Sequence, residues 1–491
     1  MLHPLDYLLL ALYLLLLVGV GVYFARREKS IERFFLAGRK MPWWAAGVSI
    51  FGTQLSAITF LAVPAKAFAT DWVYFLVNMT IIMVAPIVVY VYLPTFCRSK
   101  ITSAYEYLEQ RFNVWVRVFG SMAFLLFQMG RIGIVLFLPA ITLATATGMD
   151  VTLCILLMGV LATLYTALGG IEAVIWTDVS QVIVLVGGAL VSLIVITFAV
   201  DGGLGAIIRT GIAENKFQMF NWTWDATADA VWVVLIGNIF ANMIPYTADQ
   251  AVIQRYLTTP SEREAARAVW TNAGLTLPAS LLFFGLGTAL YVFYQEYPSL
   301  LDPTIHHDGI FPLFIVHQLP AGVSGIVIAG VFAASMSSLD SGLNSMATVT
   351  VTDYIRRFRR GPGGDELRLA RWLTALFGAV GTGTALLLAA FGVSSLLDAF
   401  REILGLFGGS LAGLFALGVL TRRANGAGAL AGAAGSAILL WFVKDQTEIH
   451  FFLYAAVGTI SCFVIGYVAS ILIGNPPGGM PGRLTGTERK Q

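Results

Sequence analysis

Apolar stretches long enough to cross a bilayer follow one another along the chain, separated by short polar connections rich in Lys and Arg. A hydrocarbon core about 30 Å thick takes about 20 apolar residues as helix. On that measure about thirteen segments can be drawn: 5–25, 42–68, 73–97, 117–144, 148–168, 173–200, 229–256, 266–296, 319–354, 367–391, 395–420, 426–443 and 450–474. Backbone N–H and C=O groups have no water to bond in hydrocarbon, so each segment is expected to be helical. Two carry small and polar residues where a plain span would be apolar. The second has Gly52, Thr53, Gln54 and Ser56 at its middle; the seventh has Gly237, Asn238, Asn242 and Pro245. Five spans separate their starting points, and an odd offset gives them opposite orientations. Interrupted helices at matching positions of two halves point to an inverted-repeat transporter with a site near the midplane. The halves are expected at 41–200 and 229–420. Residues 1–40 form a leading helix and loop, 421–474 two trailing helices, and 475–491 a disordered tail, all in one transporter domain.

Composition supports this class and removes others. Of the 491 residues 57% are hydrophobic and 12% charged, with a mean hydropathy of +0.79; soluble domains carry about 25% charged residues. The net charge of +2 leaves no nucleic-acid footprint. Cys97, Cys154 and Cys462 are widely separated in or beside apolar runs and read as small buried hydrophobes. There is no Gly-Lys dipeptide and hence no P-loop, no HExxH, and no Gly-x-Ser-x-Gly in a strand-to-helix context, so enzyme chemistry is unsupported. Nearly all Lys and Arg fall at 26–40, 98–117, 255–267, 356–371, 422–423 and 483–490. The exceptions are Arg209, Lys216 and Lys444 on the other side, and Lys66, Arg131 and Arg401 within spans. The bias predicts a multi-pass protein of the plasma membrane with its N-terminus outside and C-terminus inside. Its surroundings are the lipid bilayer, and no obligate protein partner is evident.

Candidate chemistry concentrates between Ala334 and Ser345. At about 100° per residue, Ser337, Ser338, Asp340, Ser341, Asn344 and Ser345 share one half of the helix surface. Hydroxyls bonding back to preceding carbonyls would explain one or two of the serines, but not Asp340, because a carboxylate at the bilayer centre costs about 2.5–3.5 kcal/mol. Oxygen-only ligands with so little charge suit a hard monovalent cation. Unwinding near Gly52–Ser56 would free carbonyls for the same ion, although small residues there also suit a helix contact. Arg131 lies about 14 residues from the end of its span, about 21 Å along a helix and too far to snorkel. It either grips a substrate carboxylate or hydroxyl, or pairs with a buried acid such as Asp340. Asp178 is a helix-start acid or an ion ligand. Asp398, Arg401 and Glu402, spaced i, i+3, i+4, are expected to pair among themselves.

Several stretches together resemble the sodium:solute symporter family. They are Arg-Phe-Phe-Leu-Ala-Gly-Arg-Lys at 33–40, Trp43–Ser49, Ser103–Phe112, Gly169–Gln181, Gln-Arg-Tyr at 254–256 and Ser337–Ser345. The family resemblance implies an all-α integral membrane fold with a LeuT-like five-plus-five inverted repeat and two broken helices. Thr59–Phe68, Lys100–Glu109 and Gly169–Val179 are similar to the bacterial sialic acid branch. That resemblance implies a first sodium site at Gly52, Leu55 and Ala334 carbonyls with Ser337 and Ser338 hydroxyls. It also implies a second at Asp178, Ser337, Asp340 and Ser341, and substrate contacts at Gln54, Ser56, Thr59, Tyr74, Asn78 and Arg131. Similarity to the sugar carriers adds Asn242. Gln54, Ala57, Asn78 and Asp340 stand where that branch has Thr, Ser, Gln and Ser, so the lining is altered where specificity is set. The expected function is sodium-coupled symport of a small polar solute, a sugar or sugar acid such as sialic acid, by alternating access. Symport of another carboxylate or an amino acid, or a membrane-embedded solute sensor, are the rival readings.

Overall fold

In the structure, a computed structural model, residues 2–26, 30–303, 305, 307–359, 365–391 and 408–474 are described, and among them the regular structure is helical throughout. The helices that matter here are α1 (Pro4–Ala25), α2 (Trp43–Gln54), α3 (Ala57–Ala69), α4 (Phe75–Arg98), α5 (Ala104–Arg111), α6 (Val114–Thr147) and α7 (Val151–Ala199). They continue as α8 (Val231–Thr247), α9 (Gln250–Leu257), α10 (Glu262–Glu296), α11 (Val323–Phe358), α12 (Glu366–Phe391), α13 (Gly409–Leu420), α14 (Gly426–Gln446) and α15 (Leu453–Ile473). By length and apolarity nine described helices can cross a membrane, or eleven if two bent pairs each count as one span. The larger predicted number includes a fold-back in α7. Gly170 has φ 58 and ψ −157, a region open essentially to glycine. Gln181 Nε2 lies 3.4 Å from Tyr165 OH across a separation of 16 residues, which a straight helix would place about 24 Å apart. The predicted boundary between 148–168 and 173–200 is therefore a hairpin at the Gly-Gly pair. Of the predicted segment 395–420, α13 is the described part; Asp398, Arg401, Glu402 and the tail 475–491 lie outside the described residues.

Both expected broken spans are present: the first breaks within the expected Gly52–Ser56 stretch, the second a few residues beyond Pro245. α2 and α3 meet at 57°, as do α8 and α9. Gly52 and Thr53 are still helical; the chain leaves the helix at Leu55 (φ −82, ψ 79) and Ser56 (φ −76, ψ 165). In the seventh span Gly237, Asn238, Asn242 and Pro245 all sit inside α8, and the break falls at Ala248–Asp249. Caps decide these positions. Ser56 Oγ accepts from Thr59 N–H at 3.3 Å, and Asp249 Oδ1 accepts from Ala251 N–H at 2.8 Å. Each gives the second half-helix a proper start, which a small residue or proline further upstream does not.

α11 is the interior post of the bundle. Its most apolar window is 89% buried, against 28% for α1 and α7, and the run from Val327 to Val349 is buried at every position. Its hydroxyl-rich side is therefore covered by protein, not by lipid. Both ends are pinned. Asp6 of α1 accepts from Gly322 N–H at 2.6 Å and Gly325 N–H at 2.9 Å, satisfying donors at a helix start. A side chain at Gly325 would overlap Asp6, its Cβ only 2.5 Å from the Asp6 Cα. At the other end Asp353 accepts from Arg117 Nε at 2.7 Å and Ser103 Oγ at 2.6 Å. Arg117 also reaches Glu109 at 2.7 Å, and Arg357 reaches the same acid at 2.8 Å.

Candidate ion and solute site

The break in the second span releases backbone oxygen at the right place. Ser56 N–H would close the helical bond to the Gly52 carbonyl, but it bonds to Gln54 O at 3.1 Å instead. Thr59 N–H, the helical partner of the Leu55 carbonyl, is taken by the Ser56 cap. A methyl built on Gly52 would lie 3.7 Å from Ser337 Oγ and 3.8 Å from Asp178 Cβ, so the end of α2 faces the serine side of α11 directly. Ser338 Oγ reaches Ala334 O at 3.4 Å. Gly52, Ala334, Ser337 and Ser338 are all buried. The two carbonyls without helical partners, with the Ala334 carbonyl and the Ser337 and Ser338 hydroxyls of the facing helix, offer oxygen donors without a carboxylate among them, the donor chemistry that suits sodium.

The second predicted ion position is assembled too, but it already contains a guanidinium. Asp178 Oδ1 accepts from Ser337 Oγ at 2.5 Å; its Oδ2 accepts from Ser49 Oγ and from Arg255 at 2.9 Å. Arg255 also bonds Ser341 Oγ, Ser49 Oγ (2.7 Å) and the Ala251 carbonyl (2.5 Å). Asp340 accepts from Tyr165 OH at 2.5 Å and lies 3.2 Å from Ser341 Oγ. Asp178, Asp340 and Arg255 are each 0% exposed. The sequence reading missed Arg255 and grouped it with the basic residues of the connection 255–267. In the structure α9 continues past the break and carries it back into the bundle.

A cavity of about 120 Å³ opens beside the break. Gln54, Thr59, Asn78 and Asn242, all expected to meet substrate, line it together with Leu55. Tyr246, Asn272, Thr276 and Ser280 line it as well and were not foreseen. The last three recur every four residues along α10, a polar stripe on one helix face that was legible in principle. Asn78 Nδ2 donates to Ser280 Oγ at 3.0 Å, and Asn272 Nδ2 to Tyr246 OH at 2.6 Å. Asn242 Nδ2 donates to the Val77 carbonyl at 3.1 Å and to Thr80 Oγ1 at 2.6 Å. The carbonyl partner fixes which way the Asn242 amide points and leaves its oxygen as an acceptor.

Three expected substrate residues do not line this cavity. Ser56 is one step away, its hydroxyl 3.3 Å from Thr59 Oγ1. Tyr74 packs on Phe452 with ring centroids 5.3 Å apart, and the Lys66 ammonium stands 4.5 Å over its ring. Arg131 pairs with Asp249 at 3.5 Å, not with Asp340. Its side chain is 17% exposed and that of Asp249 8%. Among the described residues, the cavity lining therefore contains no charged side chain.

The sequence model of the sodium:solute symporter family matches residues 34–435. The sodium/sialic acid symporter NanT of Aliivibrio fischeri is 40% identical over 475 residues, covering 96% of this chain and 94% of that protein. The sodium/sialic acid symporter SiaT of Proteus mirabilis is 40% identical over 470 residues, covering 95% of each. Among solved structures, a Na+-coupled sialic acid symporter in a substrate-bound, outward-open state superposes with a TM-score of 0.91 at 39% identity, covering 96% of this chain and 98% of that one.

Proposed function

Because the chain belongs to the sodium:solute symporter family, a family of sodium-coupled membrane transporters and not of enzymes, we propose that its solute is an acidic sugar of the sialic acid kind. Two relatives of that activity align over nearly their whole length, and the cavity chemistry agrees. Asn78, Asn242 and Asn272 offer amide oxygens to sugar hydroxyls, with Thr59, Thr276 and Ser280 beside them. The observation that carries the mechanism is the position of Leu55. It lines the cavity and also contributes one of the carbonyls freed by the break.

Sodium held by Gly52, Leu55, Ala334, Ser337 and Ser338 thus sits behind Leu55, beside the cavity, and supplies the positive charge that the lining lacks. The carboxylate of the solute is drawn to that charge, and sodium pre-organises the α2–α3 break for the solute. Neither ligand alone shifts the alternating-access equilibrium as far as both together. The family resemblance brings Ser56, Tyr74 and Arg131 to the solute as well; here Ser56 lies against Thr59, Tyr74 packs on Phe452 and Arg131 pairs with Asp249. Rocking of the helix bundle in the plasma membrane, with the N-terminus outside and the C-terminus inside, then releases both ligands inward. Proteoliposomes with an inward sodium gradient should accumulate labelled sialic acid above equilibrium, and unlabelled sugar acids should compete better than amino acids or short monocarboxylates. Accumulation of an amino acid instead, or uptake indifferent to sodium, would refute the solute or the coupling respectively.

A further inference from the structure

Along α3 the cavity residues Thr59 and Val63 share a helix face with Lys66, at spacings i, i+4 and i+7. Lys66 lies in the last turn of α3, about 10 Å beyond Thr59 and away from the α2–α3 break. With the N-terminus outside, that is the outer end of the cavity. On α4, Tyr74 stands one turn before the cavity residue Asn78, at the same end. The two side chains meet there, the Lys66 ammonium 4.5 Å over the Tyr74 ring. Tyr74 packs in turn on Phe452, whose main chain lies against Gly237 of α8. Elements that line the cavity thus come together again around one ammonium.

That ammonium has no described counter-ion. Among the described residues no carboxylate stands within ion-pair distance of it. Asp71, the acid nearest in the chain, accepts from Val73 N–H at 3.0 Å. Lys216, which reaches the same end of α3, is committed to the Phe68 and Thr70 carbonyls at 2.7 and 3.0 Å. A lysine in a last turn can simply offset the helix dipole, but this one is turned across to a ring on another helix. A ring face occupies one side of an ammonium and leaves N–H donors over. Half-buried Lys66 is therefore a cation with spare donors, above a cavity whose described lining is uncharged.

We propose that Lys66 is an outer docking point for the carboxylate of the solute, by which the protein selects acidic over neutral sugars. The inference rests on the acidic solute proposed above. The Lys66 charge acts on the carboxylate at the mouth and, from about 10 Å, on the same group inside, so it enters the KM. The test follows uptake of labelled sialic acid into proteoliposomes at fixed sodium, with its uncharged methyl ester as competitor. Lys66→Met should raise the KM for sialic acid about fivefold while the maximal rate holds. Lys66→Arg should stay near the parent, and inhibition by the ester should be the same in all three proteins. An unchanged KM for the acid, or an equal loss for acid and ester, overturns the proposal. A second arm uses the unaltered protein and depends on no variant folding. Sulfo-N-hydroxysuccinimide acetate added outside should acetylate Lys66, and sialic acid with sodium should protect it where the ester does not. No acetylation, or equal acetylation with and without sialic acid, also overturns the proposal. Failure of these tests beside normal parent uptake leaves the solute standing, whereas no uptake of sialic acid overturns the solute and this inference with it.

Discussion

Ser338 is the residue on which the ion site can be tested with least disturbance. Among the described residues its hydroxyl reaches only the Ala334 carbonyl of its own helix, at 3.4 Å, so removing it breaks no described bond between elements. Ser338→Ala should abolish sodium-dependent uptake while shifting stability by less than about 1 kcal/mol, as read from tracer flux and thermal unfolding of the same preparation. Sodium dependence surviving unchanged would remove Ser338 from the site. At this scale the sequence was most informative where residue type conflicts with surroundings, as with Asp340 among apolar neighbours. It was least informative for Arg255. A basic residue near a predicted span end looks solvated, and only the 57° turn between α8 and α9 shows that it is not. Arg131 shows the same limit. Its burial was legible, but its choice of Asp249 over Asp340 depends on where the seventh span breaks.

Among the elements, the hairpin in α7 depends on one backbone conformation. Gly170 sits at φ 58, ψ −157, and a Cβ there would lie 2.7 Å from the Phe34 carbonyl oxygen. Gly170→Ala should therefore cost about 1–3 kcal/mol from backbone strain, with the clash in addition, and should lower the melting temperature and the yield of folded protein. A variant melting with the parent would contradict the hairpin geometry. The position of this turn was visible as Gly169–Gly170 between two apolar runs. The two breaks were visible only approximately, because polar and small residues in a membrane helix mark a cavity wall as readily as a helix end. Asn242 lines such a wall and Gly237 packs against Phe452, both inside an intact helix, while the actual breaks follow the caps at Ser56 and Asp249.

For the molecule as a whole, the ion pairs at the Arg-rich end hold α5, α6 and the end of α11 together. Burial alone would raise the Glu109 carboxyl, but the hydrogen bonds and charges of Arg117 and Arg357 outweigh it and hold the group below the usual glutamate range. The stabilisation is therefore present at neutral pH and lost as pH falls through that lowered value. Acidification should loosen this end first, seen as faster amide exchange in 104–117 and 350–358, and Glu109→Gln should remove that pH dependence. Equal exchange in parent and variant across the acid range would rule the network out as a clamp.

With Asp6 fastening its start and Arg117 its finish, α11 has little freedom to travel. The half of the ion cradle that it carries behaves as a mast, and the rigging that moves is the hinged pair α2–α3. Spin labels on α1 and α11 should then keep one separation whether or not sodium and solute are present, while labels on α3 and α11 should report two.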